Sequence, residues 1–279
     1  MKGSHKEVHQ DYFLINNRII PAEEFHPSDI TKTTSVYEVI RIIDGIPLFL
    51  EEHLERLNKS FKLLGFDFSI VEEDMEKQIC KLIKINQCHN YNVKLIVNNL
   101  HTPTPNVFLF FIQSNYPEEA QYEKGVHAIL YHGERENPNA KVVLKDFRQR
   151  VEEAIRESHG FEAILVNQHH QITEGSRSNI FVVKGNHLCT APAEKVLMGV
   201  TRNRIIALCK TLGLTIEETP LSVDFLKSAD GIFMTGTSPK VLPIATVDDI
   251  HYNSAANPII LEVRKAYDDL IENYIRTKS

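Results

Sequence analysis

Lys141 is a candidate nucleophile in this sequence, and a surface lysine at the end of a strand is the alternative. It ends the run Asn137-Pro138-Asn139-Ala140-Lys141 and precedes the apolar run Val142-Val143-Leu144. Proline favours extended geometry in the residue before it. A lysine beside an apolar extended segment is partly removed from water, so its amine loses its proton more readily and can form an imine. Lys145, four residues later, is the competing candidate.

Glu174 is a candidate for holding a positively charged ring atom. It leaves the polar turn at 167–171 and leads into the strand-like residues 180–183. A carboxylate against a ring nitrogen keeps that nitrogen protonated, which makes the ring of a bound cofactor withdraw electrons. A glutamate that ends a strand and faces water is the alternative.

Two turns are candidates for binding a phosphate group. Gly199-Val200-Thr201-Arg202 directly precedes a helical pattern, and Thr235-Gly236-Thr237-Ser238 follows a buried strand pattern. Free amides at a helix start, aided by the helix dipole, suit a phosphate. The Thr201 hydroxyl can add a further bond or cap the helix. The second turn offers hydroxyls and amides together.

Arg56 can bring a positive charge to the same ligand. It lies between Leu54 and Leu57 at the edge of the apolar stripe of a predicted helix over 51–64. From that position its side chain can reach inward. The alternative is a solvated arginine paired with Glu52, four residues earlier.

The elements that must position these residues fall into two predicted domains. The first half begins with a hairpin over 11–21 and continues with strands, two helices and two more strands, which indicates an α+β domain. The polar segment 114–125 is predicted to be an interdomain linker. The predicted domains are residues 1–113, a smaller α+β N-terminal domain, and residues 126–279, a larger mixed α/β domain that binds the cofactor.

Composition excludes several classes of protein. The chain has 279 residues, 42% of them hydrophobic and 24% charged, with a net charge of −6. These values are typical of a soluble globular protein and disfavour nucleic-acid binding. No apolar run approaches the roughly 20 residues of a membrane span. The polar start at Met1–Lys6 lacks a secretory core, so we expect a cytoplasmic protein.

No metal site is predicted. The four cysteines fit no metal-binding spacing, and we expect them to be free, mostly buried thiols. His169 and His170 lie in a polar turn without identifiable further ligands.

In this order and spacing, the motifs resemble those of the class IV aminotransferases, the fold-type-IV pyridoxal-phosphate proteins. That family includes branched-chain aminotransferases, D-amino acid aminotransferases and 4-amino-4-deoxychorismate lyases. The resemblance covers nearly the whole chain to about Asp248. The matching segments are 36–41, 52–57, Lys141, 162–165, 173–181, 197–202 and 235–238.

The resemblance implies a fold of the D-amino acid aminotransferase type and pyridoxal 5′-phosphate as cofactor. It implies that Lys141, whose spacing to Glu162 matches the family, forms the internal aldimine and moves the substrate proton. Glu174 corresponds to the partner of the pyridine nitrogen. The other residues implied are Arg56, Val200, Thr201 and Thr237 on the phosphate, with Tyr37 and Ser178 on the substrate side.

Three segments depart from the family pattern. Leu144-Lys145-Asp146 occupies positions where many relatives carry an asparagine, and Lys32–Ser35 replaces a glycine-rich run. Asn98–His101 lacks the arginine-bearing loop that binds a substrate carboxylate in D-amino acid enzymes. These departures leave the substrate open.

The expected function is transfer of an amino group between an amino acid, branched-chain-like in the first instance, and a 2-oxo acid. A lyase that acts on aminodeoxychorismate and releases pyruvate, and a catalytically silent family member, are the alternatives. The family also implies a homodimer. No nucleic acid, membrane or metal partner is expected.

Overall fold

A computed structural model describes residues 7–135, 138–143 and 145–278, with the side chain of Lys145 excluded. Asn137 and Leu144, which entered the sequence arguments, and Met1–Lys6 lie outside the described residues. The chain forms two compact units. The first unit contains Met1–Asn115, Ala140–Val143 and Glu272–Ser279, and the second contains Tyr116–Asn139 and Leu144–Ile271. The predicted linker contains a helix, α3, that belongs to the second unit.

The first unit is built on a six-stranded sheet with two helices. Its strand order is β2-β1-β6-β5-β3-β4, and the strands pair antiparallel. The elements are β1 Tyr12–Ile15, β2 Arg18–Pro21, β3 Val36–Ile43, β4 Ile46–Pro47, α1 Leu50–Leu63, α2 Glu72–Asn86, β5 Tyr91–Asn98 and β6 Asn106–Ile112. The predicted hairpin is present, with Asn16 and Asn17 at φ 48° and 64° in its turn.

The two faces of this sheet carry different cores, because side chains alternate along a strand. Val36 and Ile40 of β3 pack with the apolar stripes of α1 and α2. Tyr37 lies on the opposite face, in a cluster with Ile96, Phe108 and Phe110. The buried Glu38 shares its face with Val36 and Ile40, so it points toward the helices.

The second unit is built on a ten-stranded mixed sheet. Its order is β12-β11-β10-β14-β15-β7-β8-β9-β13, with β16 paired to β15. The strands are β7 Val126–His132, β8 Glu162–Val166, β9 Gln171–Gly175, β10 Asn179–Lys184, β11 His187–Thr190, β12 Thr215–Glu218, β13 Leu221–Ser222, β14 Gly231–Gly236, β15 Lys240–Val247 and β16 Ile250–His251. Its central strands are buried on both faces, which fits their nearly continuous apolar sequences.

Five helices accompany this sheet in the described residues. They are α3 Glu119–Lys124, α4 Lys145–Glu157, α5 Val200–Thr211, α6 Val223–Lys227 and α7 Pro258–Lys278, whose last residues belong to the first unit. α4 packs through Val151 against Ile129, Ala163 and Leu165 of β7 and β8. α5 contacts β14 and β12.

Candidate cofactor-binding residues in the two units

Lys141 lies in an extended segment beside β3 of the first unit. The Tyr37 amide donates to the Lys141 carbonyl oxygen over 3.0 Å, and the Val143 amide donates to Ser35 O over 3.1 Å. The Lys141 Nζ lies 4.9 Å from the centre of the Tyr37 ring. The structure therefore brings together two of the predicted residues, and the half-buried amine contacts an aromatic face.

Arg56 is held by a buried carboxylate in the same unit. Its Nε donates to Glu38 Oε1 over 2.7 Å and its Nη2 to Glu38 Oε2 over 2.6 Å. The arginine side chain is 10% exposed and Glu38 is fully buried. Arg56 therefore reaches inward from the stripe of α1, and the alternative of a solvated arginine is wrong.

His53 completes this cluster. Its Nδ1 lies 2.8 Å from Glu38 Oε2, and since an ionised carboxylate only accepts, Nδ1 carries the proton. Burial raises the pKa of Glu38, but the Arg56 charge and the hydrogen bonds from His53 and Arg56 outweigh it and hold that pKa well below its usual range. Burial lowers the pKa of His53 against the opposing effect of Glu38. The cluster thus holds one carboxylate, one guanidinium and a neutral imidazole.

Ser60 links the Arg56 helix to the Lys141 segment. Its hydroxyl donates to the Arg56 carbonyl oxygen over 3.0 Å and accepts from the Lys141 amide over 3.4 Å. It is fully buried. Arg56 and Lys141 are therefore positioned by one connected set of bonds within the first unit.

Glu174 lies inside strand β9 of the second unit and is 4% exposed. Arg135 Nε donates to its Oε1 over 2.8 Å, and Arg135 Nη2 lies 2.6 Å from the same oxygen. The Leu197 amide donates to Oε2 over 3.0 Å. The alternative of a strand-end carboxylate that faces water is wrong, and both carboxylate oxygens have polar partners.

The predicted phosphate turn at 199–201 begins helix α5. The N-cap residue is Gly199, which has no side chain to cap the helix. Thr201 is the second residue of the helix, so its hydroxyl does not provide the N-cap. Thr201 is buried, with its Oγ1 3.4 Å from Tyr267 Oη. Val200 and Thr201 contribute amides of the first turn, where a helix attracts anions.

Asn179 fixes the approach to this turn. Its Nδ2 donates to Leu197 O over 2.9 Å, and a Cβ at Gly199 would lie 2.2 Å from its Oδ1. Leu197 thus bonds to Glu174 through its amide and to Asn179 through its carbonyl. The structure therefore brings Glu174 close to the start of α5.

Thr237 lies in the turn between β14 and β15, where it is partly buried. Thr235, at the end of β14, pairs with Asn179 of β10. The two predicted phosphate turns therefore share Asn179 as a neighbour.

Ser178 belongs to a third buried cluster. Its hydroxyl donates to Glu162 Oε2 over 2.8 Å, while Glu162 Oε1 accepts from the Ala163 amide over 2.8 Å and the Ser176 amide over 3.0 Å. A Cβ at Gly175 would lie 2.0 Å from the Ser178 hydroxyl. Glu162 thus fixes the turn that joins β9, which carries Glu174, to β10, which carries Asn179.

Four residues of these clusters were missed from the sequence. Glu38 had a usable signal, because it lies two residues from both Val36 and Ile40 and therefore on the strand face that packs against α1. His53 had one too, since it lies one residue before Leu54 of the apolar stripe. Arg135 and Glu162 had none that separates them from surface charges.

Among the described residues no group of three or more histidine, cysteine and acidic side chains is placed to hold a metal ion. No helix in the described ranges combines the length and hydropathy of a bilayer span.

Comparison with known proteins identifies the family. Residues 35–247 match the model for amino-transferase class IV. The chain is 33% identical over 248 residues to the D-alanine aminotransferase of Bacillus licheniformis, which covers 85% of this chain and 87% of that protein. It is 24% identical over 258 residues to the aminodeoxychorismate lyase of Bacillus subtilis, covering 87% of each.

Structural comparison agrees. The branched-chain amino acid aminotransferase of Escherichia coli superposes with a TM-score of 0.83 at 26% identity, covering 94% of this chain and 95% of that chain. The chain therefore belongs to the class IV aminotransferases, and the predicted fold is confirmed. Proteins of this class use pyridoxal phosphate.

Proposed function

We propose that this chain is a pyridoxal-phosphate-dependent aminotransferase that moves an amino group between an amino acid and a 2-oxo acid, with Lys141 as the covalent lysine. The placement of Lys141 carries the proposal: its segment is bonded along β3 and its amine lies 4.9 Å from the Tyr37 ring centre. The spacing from Lys141 to Glu162 that matches the family supports it further.

Each residue has a defined task. Bound pyridoxal phosphate supplies an electron sink for the carbon next to the substrate amine. The Lys141 Nζ would take the proton from that carbon as a general base and, as a general acid, would deliver it to the cofactor carbon that receives the amino group. Arg56, the amides of Val200 and Thr201, and Thr237 hold the phosphate through charge-assisted bonds and the helix start.

Glu174 keeps the ring nitrogen protonated, for which its buried, hydrogen-bonded carboxylate is well suited. Tyr37 borders the substrate side. A contact between Ser178 and the substrate stays a prediction. In the structure the Ser178 hydroxyl donates a hydrogen bond to Glu162.

A spectral screen tests the proposal. The purified protein is loaded with pyridoxal phosphate and mixed with a panel of L- and D-amino acids, branched-chain ones and alanine included. We expect the visible absorbance of the lysine-bound cofactor to be lost with the substrate and restored by its 2-oxo acid. A protein that binds no cofactor, or whose spectrum responds to no amino acid, contradicts it.

The panel also decides the substrate. The branched-chain-like substrate expected from the sequence stays our first proposal, and the E. coli branched-chain enzyme is a structural neighbour. D-alanine is the second candidate substrate, since the B. licheniformis relative is a D-alanine aminotransferase.

A lyase is the second candidate function, favoured by the similarity to the aminodeoxychorismate lyase of B. subtilis. Release of pyruvate from aminodeoxychorismate without a 2-oxo acid acceptor would select it.

We further propose that the protein is a homodimer, as the family resemblance implies. Light scattering after size exclusion should give twice the chain mass of 31.9 kDa. The cytoplasmic location expected from the sequence stays a prediction.

A further inference from the structure

We propose that Arg135 is a positioning residue for Glu174 that fixes both the orientation and the ionised state of its carboxylate. Arg135 lies in the loop after β7 and belongs to none of the segments that define the family resemblance. The inference rests on the proposed function, because it assigns Arg135 a task only if Glu174 contacts the cofactor ring.

The contacts to Glu174 orient its carboxylate. Arg135 holds Oε1 through two nitrogens, and the Leu197 amide holds Oε2. Arg135 Nη2 also donates to Pro138 O over 2.9 Å, which orients the guanidinium itself. Because the two oxygens have donors from different segments, the carboxylate cannot rotate without breaking a bond.

The two segments that supply these donors are joined. Asn139 Nδ2 donates to Glu194 O over 3.1 Å, so the loop that carries Arg135 is bonded to the loop that leads to Leu197. The donors therefore form one supported frame around Glu174 rather than a single contact.

The charge of Arg135 also determines where a shared proton lies. The Arg135 and Glu174 side chains are 14% and 5% exposed, so water screens their attraction little. A guanidinium keeps its proton at all relevant pH and favours the ionised form of a neighbouring carboxylate. With Glu174 kept ionised, a proton shared with the ring nitrogen stays on the nitrogen. Without Arg135, the carboxylate can take it and the ring withdraws fewer electrons.

The test uses the protein loaded with pyridoxal phosphate and the variants Arg135→Gln and Arg135→Lys, with Arg156→Gln as control. Arg156 is an exposed arginine of α4. The readouts are the pH midpoint of the visible absorbance, the dissociation constant of pyridoxal phosphate for the apoprotein, and kcat and KM separately.

For Arg135→Gln we expect an upward shift of the midpoint. We also expect weaker cofactor binding and a fall in kcat on the order of 10- to 100-fold, the range typical when a partner that orients a functional group is removed. KM should change less. Arg156→Gln should match the wild type. An Arg135→Gln protein with the wild-type midpoint would overturn the proposal.

Arg135→Lys keeps the charge but loses the contact through two nitrogens. We expect a midpoint near that of the wild type and a reduced kcat. If Arg135→Gln does not fold, this variant decides, because wild-type kcat and cofactor affinity in Arg135→Lys would show that the guanidinium geometry is not needed. A wild type without cofactor absorbance would instead reject the proposed function.

Discussion

Each unit of this protein contains a buried pair of one arginine and one glutamate. In the first unit Glu38 binds Arg56, and in the second Arg135 binds Glu174. The proposed functional member differs: it is the arginine in the first pair and the carboxylate in the second. In our proposal, an ion pair of the same kind positions a phosphate-binding cation in one unit and an anion for the cofactor ring in the other.

The two pairs also differ in how the carboxylate is satisfied. Glu38 is fully buried, has a guanidinium nitrogen on each oxygen, and gains a third donor from His53. Glu174 has its arginine on one oxygen and a peptide amide on the other. We therefore infer that the Glu38 carboxylate mainly supports its partner Arg56, whereas in our proposal Arg135 supports the Glu174 carboxylate as the group that contacts the cofactor.

Replacing Lys141 should have the largest effect, because we propose that Lys141 bonds covalently to the cofactor, which neither ion pair can do. We expect Lys141→Ala to lower kcat by about 1,000-fold, within the range of a lost general acid–base. The visible absorbance of the lysine-bound cofactor should vanish. Lys145→Ala is the matched control and should keep both. If only Lys145→Ala lost the absorbance, Lys145 and not Lys141 would be the lysine that bonds to the cofactor.

Replacing Glu38 tests whether the first pair is mainly structural. Glu38→Gln leaves Arg56 largely buried without its counter-charge, so we expect the free energy of unfolding to fall by about 3 kcal/mol. Glu55→Gln, on the exposed side of α1, is the control. An unchanged midpoint of denaturant unfolding in Glu38→Gln would contradict the role of the cluster.

The same carboxylate predicts a pH dependence. The pKa of Glu38 is lower in the folded protein than in the unfolded chain, so its contribution is fully present above the unfolded value and is lost as pH falls toward the folded value. Wild-type stability should therefore decline below about pH 4.3, the ordinary value for glutamate. The decline should be shallower in Glu38→Gln, as measured by urea unfolding across that range.

A glycine next to the second pair tests how the phosphate turn is placed. A Cβ at position 199 would lie 2.2 Å from Asn179 Oδ1, so Gly199→Ala must displace the asparagine that bonds to Leu197. We expect the dissociation constant of pyridoxal phosphate to rise about 10-fold, or about 1.4 kcal/mol.

Gly160→Ala is the control for this change, because its Cβ would meet nothing nearer than 3.6 Å. Equal affinities of the two variants would show that the Asn179 contact does not set the geometry of the turn.

The smallest effect is expected for Glu162. Among the described residues, its carboxylate accepts from amides and hydroxyls and has no arginine in contact. Its replacement by glutamine keeps the shape, and the serine hydroxyls can rotate, so we expect a loss of about 1 kcal/mol in unfolding free energy. Thermal unfolding measures it. A loss as large as that of Glu38→Gln would show that the arginine is not what distinguishes the pairs.

Much of the fold follows from local patterns in the sequence. The hairpin over 11–21 and the apolar stripe of α1 appear where the sequence pattern predicts, because one face of each element must be buried. Strand β15 was not predicted. Its sequence Lys240–Val247 contains a proline, which disfavours a strand prediction, and besides its hairpin with β14 it pairs with β7, a contact distant in the chain that local patterns do not encode.

The candidate residues were recognisable, but their partners were not. Motif spacing indicates Lys141, Glu174 and Arg56. No local sequence pattern predicts that Arg135 contacts Glu174, because 39 residues separate them. An arginine in a polar loop is usually exposed to solvent. The burial of Glu38, the partner of Arg56, could have been predicted more easily, because Glu38 lies between apolar residues on the strand face that packs against the helices.

Reductive labelling identifies the lysine that bonds to the cofactor. The protein loaded with pyridoxal phosphate is reduced with borohydride, digested, and its peptides are sequenced by mass spectrometry. We expect a phosphopyridoxyl group on the side chain of Lys141. A label on Lys145 or another lysine, or a loaded protein that acquires no label, would contradict it.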